Sequence, residues 1–187
     1  MTEHADGRRT NTRERIRATA LEMFTEQGYE QTSLAQVADR LAITRPAVYH
    51  HFRSKEDLLT SSYSQLLPAL EELVTFLRSA PKNWATRDEA LQRLAVLIQG
   101  ENGPLLVCAR VNEHALRGLP AAAELLDYTD NLTQLLAPDT GIDGRMRGRL
   151  AVSALMMATA REAQLGGTSD ERADTALTLA RELLHRP

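Results

Sequence analysis

Apolar residues recur at helical spacing along most of the chain, and no stretch alternates apolar and polar residues as a strand would. In the first predicted helix, residues 10–27, the apolar stripe is Ile16, Ala20, Leu21 and Phe24, and Gly28 is suited to end it. Later helices are predicted over residues 54–77, 88–99, 121–136, 145–165 and 169–185, with another beginning at Pro104. With two short helices in residues 32–53, the pattern predicts an all-α fold of about nine helices.

Residues 32–59 predict two short helices joined by a tight turn, followed by the start of a third. Ser33 is an N-cap candidate for the first helix, and the chain breaks at residues 41–43. Thr44 is a second N-cap candidate, and Pro46 falls in the first turn that follows, where a missing N–H costs little. Ser54 and Asp57 are spaced like a capping box for the next helix. This arrangement is typical of a helix-turn-helix, whose second helix enters a DNA major groove.

Composition is that of an ordinary globular protein of 187 residues, with 43% hydrophobic and 25% charged residues. A single cysteine, Cys108, excludes an internal disulfide and fits a reducing cytoplasm. No apolar run has the length of a membrane span, and the polar start does not resemble a signal peptide. We therefore expect a cytoplasmic protein without a membrane partner.

The net charge of −3 does not by itself indicate a nucleic-acid partner. Basic residues are nevertheless clustered, because five arginines fall within residues 8–17 and others lie in or near the predicted motif. Binding to phosphates depends on such local positive charge more than on the total. A solvated run of charges is the alternative that composition alone would favour.

Sequence patterns of enzymes and metal sites are missing from the chain. There is no nucleophile elbow, glycine-rich phosphate loop or zinc-ligand spacing. His50 and His51 are adjacent, so they diverge on a helix and cannot jointly hold one metal ion. We expect no catalytic residue, no metal and no cofactor.

A family resemblance rests on the run from Val48 to Leu59, VYHHFRSKEDLL, and on the end of the first helix, FTEQGY at residues 24–29. This order of residues closely resembles the DNA-binding head of the TetR (tetracycline-repressor-like) transcriptional regulators. One departure is Ala42, where the family turn usually carries Gly. Ala at a position with positive φ either costs about 1 kcal/mol or marks a different turn.

The resemblance implies a ligand-responsive transcriptional regulator, most directly a repressor, that binds a palindromic double-stranded DNA operator as a homodimer and is released by a small-molecule inducer. The alternative is an all-helical small-molecule-binding or scaffold protein that has lost DNA binding. By resemblance, Arg45 with Thr44 and Ala47 faces the groove, and Tyr49, His50 and Lys55 contact phosphates. The full predicted DNA-binding set is Arg8, Arg9, Ser33, Thr44, Arg45, Pro46, Ala47, Tyr49, His50 and Lys55.

Residues 1–53 are predicted to form the helix-turn-helix DNA-binding domain and residues 54–187 a helical ligand-binding and dimerisation domain. Helix 54–77 links the two, with a bend expected at Pro68. The resemblance places an inducer pocket among the middle helices, and the candidate residues are Leu66, Leu70, Trp84, Cys108, Asn112, Met156 and Arg161.

Small residues line one face of each of the last two predicted helices. Such faces allow close helix approach, either to a symmetry mate in a four-helix bundle or within one chain. The resemblance favours the dimer, with an interface at Ala151, Ala154, Ala158, Ala173, Ala176, Leu177, Ala180 and Leu184.

Overall fold

The computed structural model describes the backbone of residues 3–159 and 165–185, and the side chains of residues 11–120, 122–159 and 165–185. This part of the chain contains ten helices and no strand, which confirms the prediction of an all-α fold. The helices are α1 (Glu3–Gln27), α2 (Leu34–Arg40), α3 (Arg45–His51), α4 (Lys55–Ser79), α5 (Trp84–Gln99), α6 (Gly103–Val111), α7 (Glu113–Leu116), α8 (Pro120–Leu136), α9 (Ile142–Met157) and α10 (Ser169–Leu184).

Several helix boundaries differ from the predicted ones for local reasons. Helix α5 begins at Trp84 rather than Asp88, because the side chain of Asn83 accepts the Thr86 N–H at 3.0 Å and caps the helix earlier. The helix predicted from Pro104 is interrupted at Asn112, and the single turn α7 follows. Helix α4 continues through Pro68 from Lys55 to Ser79.

The chain divides into two compact units. The first unit comprises Met1–Gln65 and Val107–Ala123, and the second comprises Leu66–Leu106 and Glu124–Pro187. The predicted boundary after residue 53 divides the chain differently. The beginning of α4 belongs to the first unit, where Leu58, Leu59 and Tyr63 are buried.

In the first unit, α1 presents one buried stripe of Ile16, Ala20 and Phe24, as its sequence pattern predicts. Gly28 follows the helix with φ +95°, a left-handed conformation that glycine adopts without a steric cost. The Phe24 and Tyr29 rings then meet edge to face at 5.1 Å, so the chain folds back at this turn. Residues of α2 and α3 complete this core with Leu34, Val37, Ala38 and Val48.

In the second unit, α10 packs against α5 and α9. Arg181 of α10 binds the Asp88 carboxylate of α5 through two nitrogens, at 2.6 and 3.3 Å. A Cβ added at Gly148 would lie 2.5 Å from the Thr133 carbonyl oxygen, so glycine allows α9 to approach α8 closely here.

The small residues of α9 and α10 face the interior of the second unit. Six of the eight residues predicted at the dimer interface are buried within the single chain: Ala151, Ala158, Ala173, Ala176, Ala180 and Leu184. Ala158, Ala173 and Ala176 form one apolar cluster. Close packing within the second unit covers these six in the single chain, and their place at a dimer interface stays a prediction. Ala154 and Leu177 are partly exposed.

Among the helices that the structure describes, none combines the length and the apolar character needed to cross a membrane.

Candidate nucleic-acid interface

Helix α2 begins with a complete capping box. The Ser33 hydroxyl accepts the Gln36 N–H at 3.2 Å, and the Gln36 side chain accepts the Ser33 N–H at 2.7 Å. Ser33, predicted as an N-cap and as a DNA-binding residue, therefore already uses its hydroxyl to start the helix. Its side chain is exposed at this helix end.

The turn between α2 and α3 keeps a left-handed residue although that residue is Ala42. Its φ is 53°, its N–H donates to the Asp39 carbonyl at 3.2 Å, and the Ile43 N–H donates to the Ala38 carbonyl at 3.1 Å. These two bonds are those of a Schellman motif, in which glycine is the usual residue at this position. The turn is therefore not a different one: alanine keeps the positive φ and bears a cost of about 1 kcal/mol.

Helix α3, the recognition helix of the motif, has one buried side and one solvent side. Thr44 caps it by accepting the Ala47 N–H at 3.4 Å, and Val48 is its buried residue. Arg45 is 64% exposed at the side chain and Tyr49 is 50% exposed. The predicted contact residues Thr44, Arg45, Pro46, Tyr49 and His50 are all exposed, and Ala47 is half-buried. One surface of α3 is thus exposed and could enter a DNA major groove.

Lys55, the first residue of α4, is engaged within the first unit. Its Nζ donates to the Tyr29 carbonyl oxygen at 2.6 Å and lies 4.3 Å from the centre of the Tyr29 ring. The Glu30 carbonyl oxygen lies 3.5 Å away. Burial lowers the pKa of Lys55, and the nearby Glu30 acts in the opposite direction. An ammonium has three donors, so Lys55 retains one for a phosphate.

The arginines of residues 8–17 in α1 include two that stabilise the first unit itself. Arg13 donates to the His51 carbonyl at 3.0 Å, at the end of α3, and its guanidinium lies 4.4 Å from the centre of the Phe52 ring. Arg17 binds Gln65 and Glu14. These roles of Arg13 and Arg17 were not predicted, because contacts with residues 51, 52 and 65 leave no local signal in the sequence. Arg8 and Arg9 have helical backbone in α1, and their side chains lie outside the described residues.

Asn112, predicted to line a ligand pocket, is buried in the first unit with a structural set of contacts. Its Nδ2 donates to the Phe24 carbonyl at 2.9 Å and the Cys108 carbonyl at 3.0 Å, and its Oδ1 accepts the Tyr29 N–H at 2.7 Å. Both amide N–H groups are therefore used. This geometry does not support ligand binding by Asn112.

The remaining predicted ligand residues do not all fall in one unit. Leu66, Leu70, Trp84 and Met156 belong to the second unit, whereas Cys108 belongs to the first. Trp84 meets the His185 ring edge to face at 4.7 Å. Burial raises the pKa of Cys108 to about 12, which leaves the thiol protonated and inert at neutral pH. Arg161 lies outside the described residues.

A groove of about 550 Å³ lies between α4 and α5 of the second unit, where Leu73, Val96 and Leu97 are among its apolar lining residues. None of the predicted ligand residues that the structure describes lines this groove. Within the described residues, no group of histidine, cysteine and acidic side chains is arranged to hold a metal ion.

Comparison with known proteins gives a family match for the helix-turn-helix region. Residues 16–61 match the model of a family described as bacterial regulatory proteins, tetR family. An HTH-type transcriptional regulator of Staphylococcus aureus (strain USA300) is 30% identical over 121 residues, which are 62% of this chain and 64% of that protein. The TetC protein of transposon Tn10 from Escherichia coli is 26% identical over 84 residues, 45% of this chain and 43% of that protein. The matches to these relatives thus span less than two thirds of their lengths.

Structural comparison extends the likeness beyond the head. The crystal structure of AibR in complex with isovaleryl coenzyme A and operator DNA superposes with a TM-score of 0.57 at 18% identity, over 88% of this chain and 97% of AibR. At this identity the likeness concerns the fold. The helix-turn-helix and the helical second unit are features of that shared fold. Residues 16–61, which contain the helix-turn-helix, match the tetR family of bacterial regulatory proteins, as the sequence resemblance implied.

Proposed function

We propose that the protein is a ligand-responsive repressor that binds a palindromic operator as a homodimer in the cytoplasm and leaves it when a small-molecule inducer binds. The observation that carries this proposal is the division of α3 into a buried side at Val48 and an exposed side that begins with Arg45. A recognition helix needs such a free surface, since its side chains must reach base edges in the major groove.

Arg45 is the proposed base-reading residue, because its guanidinium is exposed at the beginning of α3 and suits bidentate contact with guanine. Tyr49, His50 and Lys55 are the proposed phosphate contacts. The N-terminal end of α4, where Lys55 lies, adds backbone N–H groups and the positive end of the helix dipole. Phosphate contacts would fix the orientation of the head, and Arg45 would supply base selectivity.

The proposed dimer interface is the solvent face of α9 and α10. Ile142, Met146, Leu150 and Met157 follow helical spacing along one side of α9 and are all exposed, Ile142 by 72%. Leu179 of α10 is another exposed apolar residue. An apolar stripe on a surface helix indicates a contact with another protein surface. A second copy of the chain is the occupant that two-fold operator symmetry requires.

The proposed inducer site lies in the second unit, where Leu66, Leu70 and Met156 are buried. The complex of AibR with isovaleryl coenzyme A and operator DNA shows, for that protein, that both partners can be present together with this fold. For the present chain, an inducer would need to favour the DNA-incompatible state by about 1–3 kcal/mol, a typical coupling free energy.

Selection of bound sequences from random duplexes tests the proposal. We expect an inverted repeat whose half-sites lie about one helical turn of DNA apart. Arg45→Ala should cost about 1–3 kcal/mol and relax selectivity at one base position, whereas Lys55→Met should weaken all sequences equally. Equal half-saturation on selected and random duplexes at physiological salt would instead favour a helical protein that has lost specific DNA binding.

A further inference from the structure

The peptide backbone of Tyr29 is held from both sides in the first unit. Its N–H donates to Asn112 Oδ1 at 2.7 Å, and its carbonyl oxygen accepts from Lys55 Nζ at 2.6 Å. Asn112 lies far outside the helix-turn-helix in sequence, whereas Lys55 is a proposed phosphate contact. A single residue, Tyr29, therefore connects a buried amide to the DNA surface through two short hydrogen bonds.

Asn112 is itself fixed in orientation. Its two N–H groups point to the carbonyls of Phe24 and Cys108, so only Oδ1 faces Tyr29. The residue is 6% exposed, and a hydrogen bond removed from water is more costly to lose than one at the surface. Asn112 thus ties the end of α1 and the Tyr29 peptide to α6 as one rigid group.

The Lys55 end of the connection is also well defined. Its ammonium contacts both the carbonyl oxygen and the ring of Tyr29, and the Tyr29 ring in turn packs on Phe24. A hydrogen bond from a charged donor is stronger than a neutral one. The position of the ammonium is therefore set by the position of Tyr29 rather than by the flexible lysine chain alone.

We propose that Asn112 is a positioning residue of the DNA interface, which acts through the Tyr29 backbone to hold Lys55 where it meets a phosphate. This inference rests on the proposed phosphate contact of Lys55. Without Asn112, the Tyr29 N–H is left buried and unpaired, and its peptide must rotate or move to find another acceptor. The carbonyl that orients Lys55 belongs to the next peptide, which is joined to the first through the Tyr29 Cα. A shift of the Tyr29 backbone therefore moves this carbonyl, and the ammonium loses its fixed place.

A general structural role for Asn112 makes a different prediction from a role through Lys55, and a double-mutant cycle separates them. The measured quantity is the slope of log affinity against log salt concentration for a duplex selected by the wild-type protein. Lys55→Met should reduce the slope by about two, the value for one lost phosphate contact in each half of the dimer. Asn112→Ala should reduce it by about two as well, because both copies of Lys55 lose their fixed position.

The double variant Asn112→Ala/Lys55→Met should have the slope of Lys55→Met alone, since the amide then has no ammonium to position. Asn131→Ala is the matched control, because Asn131 belongs to the second unit and binds Arg78 and the Asp127 carbonyl there. It should leave the slope unchanged. Additive losses in the double variant, or an unchanged slope in Asn112→Ala, would overturn the positioning role while leaving the Lys55 contact intact. An unchanged slope in Lys55→Met would overturn the phosphate contact and this inference with it.

A second measurement does not depend on whether Asn112→Ala folds. Coupling between two sites is reciprocal, so removing the Lys55 ammonium should also loosen the Tyr29 N–H from Asn112. In Lys55→Met, amide hydrogen exchange at Tyr29 should be faster than in the wild type, with the Leu41 amide as the reference because it binds the Val37 carbonyl within the α2 terminus. Unchanged exchange at Tyr29 would contradict the connection.

Discussion

The guanidinium of Arg45 lies 3.6 Å from the carboxylate of Asp39, so the first residue of the recognition helix is paired with the helix before it. Both side chains are about two thirds exposed, 64% and 66%. The pair holds Arg45 near the turn, but it also places a negative charge beside the surface proposed to meet DNA. DNA binding must therefore compete with this ion pair and overcome the repulsion between Asp39 and phosphates.

Asp39→Asn removes the charge and keeps the shape of the side chain. An exposed ion pair is worth about 0.2–1 kcal/mol, so affinity should rise by up to about fivefold for each head that contacts DNA, on selected and random duplexes alike. Titration of both duplexes at two salt concentrations measures the gain. Glu101→Gln, at an exposed residue of the second unit, is the control for net charge. An equal gain in the control would show a charge effect without a role for the Arg45 pair.

Local features of the motif were predictable from sequence, because the interacting groups lie within a few residues of one another. Ser33 and Thr44 bind N–H groups three residues ahead, and this short spacing is visible in the sequence. Asn112 is different, since it accepts from Tyr29, 83 residues away. No local pattern distinguishes such a residue from one that lines a pocket.

The small residues of α9 and α10 show a second limit of sequence reasoning. A face of alanines indicates close helix packing, but the same pattern suits packing within a chain and between chains. Ala158, Ala173 and Ala176 are buried in their own unit, whereas the exposed apolar residues of α9 lie on a different side. The pattern therefore predicts close helix packing without distinguishing a partner helix of the same chain from one of a second copy.

Ala42→Gly should stabilise the protein. Alanine at φ 53° bears a steric cost that glycine does not, and the gain is reduced by the greater freedom of glycine in the unfolded chain. We expect a net increase of about 0.5–1 kcal/mol in the free energy of unfolding, measured by urea denaturation.

Gly28→Ala supplies the opposite substitution at a comparable position. A Cβ at Gly28 would meet no atom within 4 Å, so the backbone conformation, φ +95°, is the main obstacle. This variant should lose at least about 1 kcal/mol. Destabilisation by Ala42→Gly would mean that the alanine methyl group has a packing role that outweighs its backbone strain.

Tyr63→Phe should also stabilise the protein, because the Tyr63 hydroxyl is buried without a hydrogen-bond partner among the described residues. An unsatisfied buried polar group costs about 1–3 kcal/mol, and phenylalanine keeps the ring in place. The increase should appear in urea denaturation at neutral pH. A loss of stability would show that the hydroxyl is satisfied, for example by a bound water molecule.

The same residue predicts a pH dependence. Burial raises the pKa of Tyr63 above its usual value, so the unfolded phenol ionises first when the pH rises. The wild-type free energy of unfolding should therefore fall as the pH passes the ordinary tyrosine range. Tyr63→Phe should lose less stability over that range, and parallel curves for the two proteins would contradict the prediction.

Met146→Glu/Leu150→Glu should separate the proposed dimer without unfolding the chain. Both residues are exposed on the solvent face of α9, so charges there cost nothing in the isolated chain but are desolvated and repel each other across a two-fold interface. Light scattering should give the mass of a monomer. The melting temperature should be near that of the wild-type chain as a monomer. Affinity for the full operator should fall towards that for a half-site, because one head cannot contact both halves.

Two controls assign the effect to this face. Val96→Glu places a charge on an apolar residue of α5 that is 73% exposed, and this variant should remain dimeric. Ala176→Glu places the charge in the cluster between α9 and α10, where burial without a partner should lower the melting temperature. If Met146→Glu/Leu150→Glu stays dimeric at micromolar concentration while Val96→Glu dissociates, the two copies meet through α5. If neither variant dissociates, the exposed stripe of α9 is not the interface.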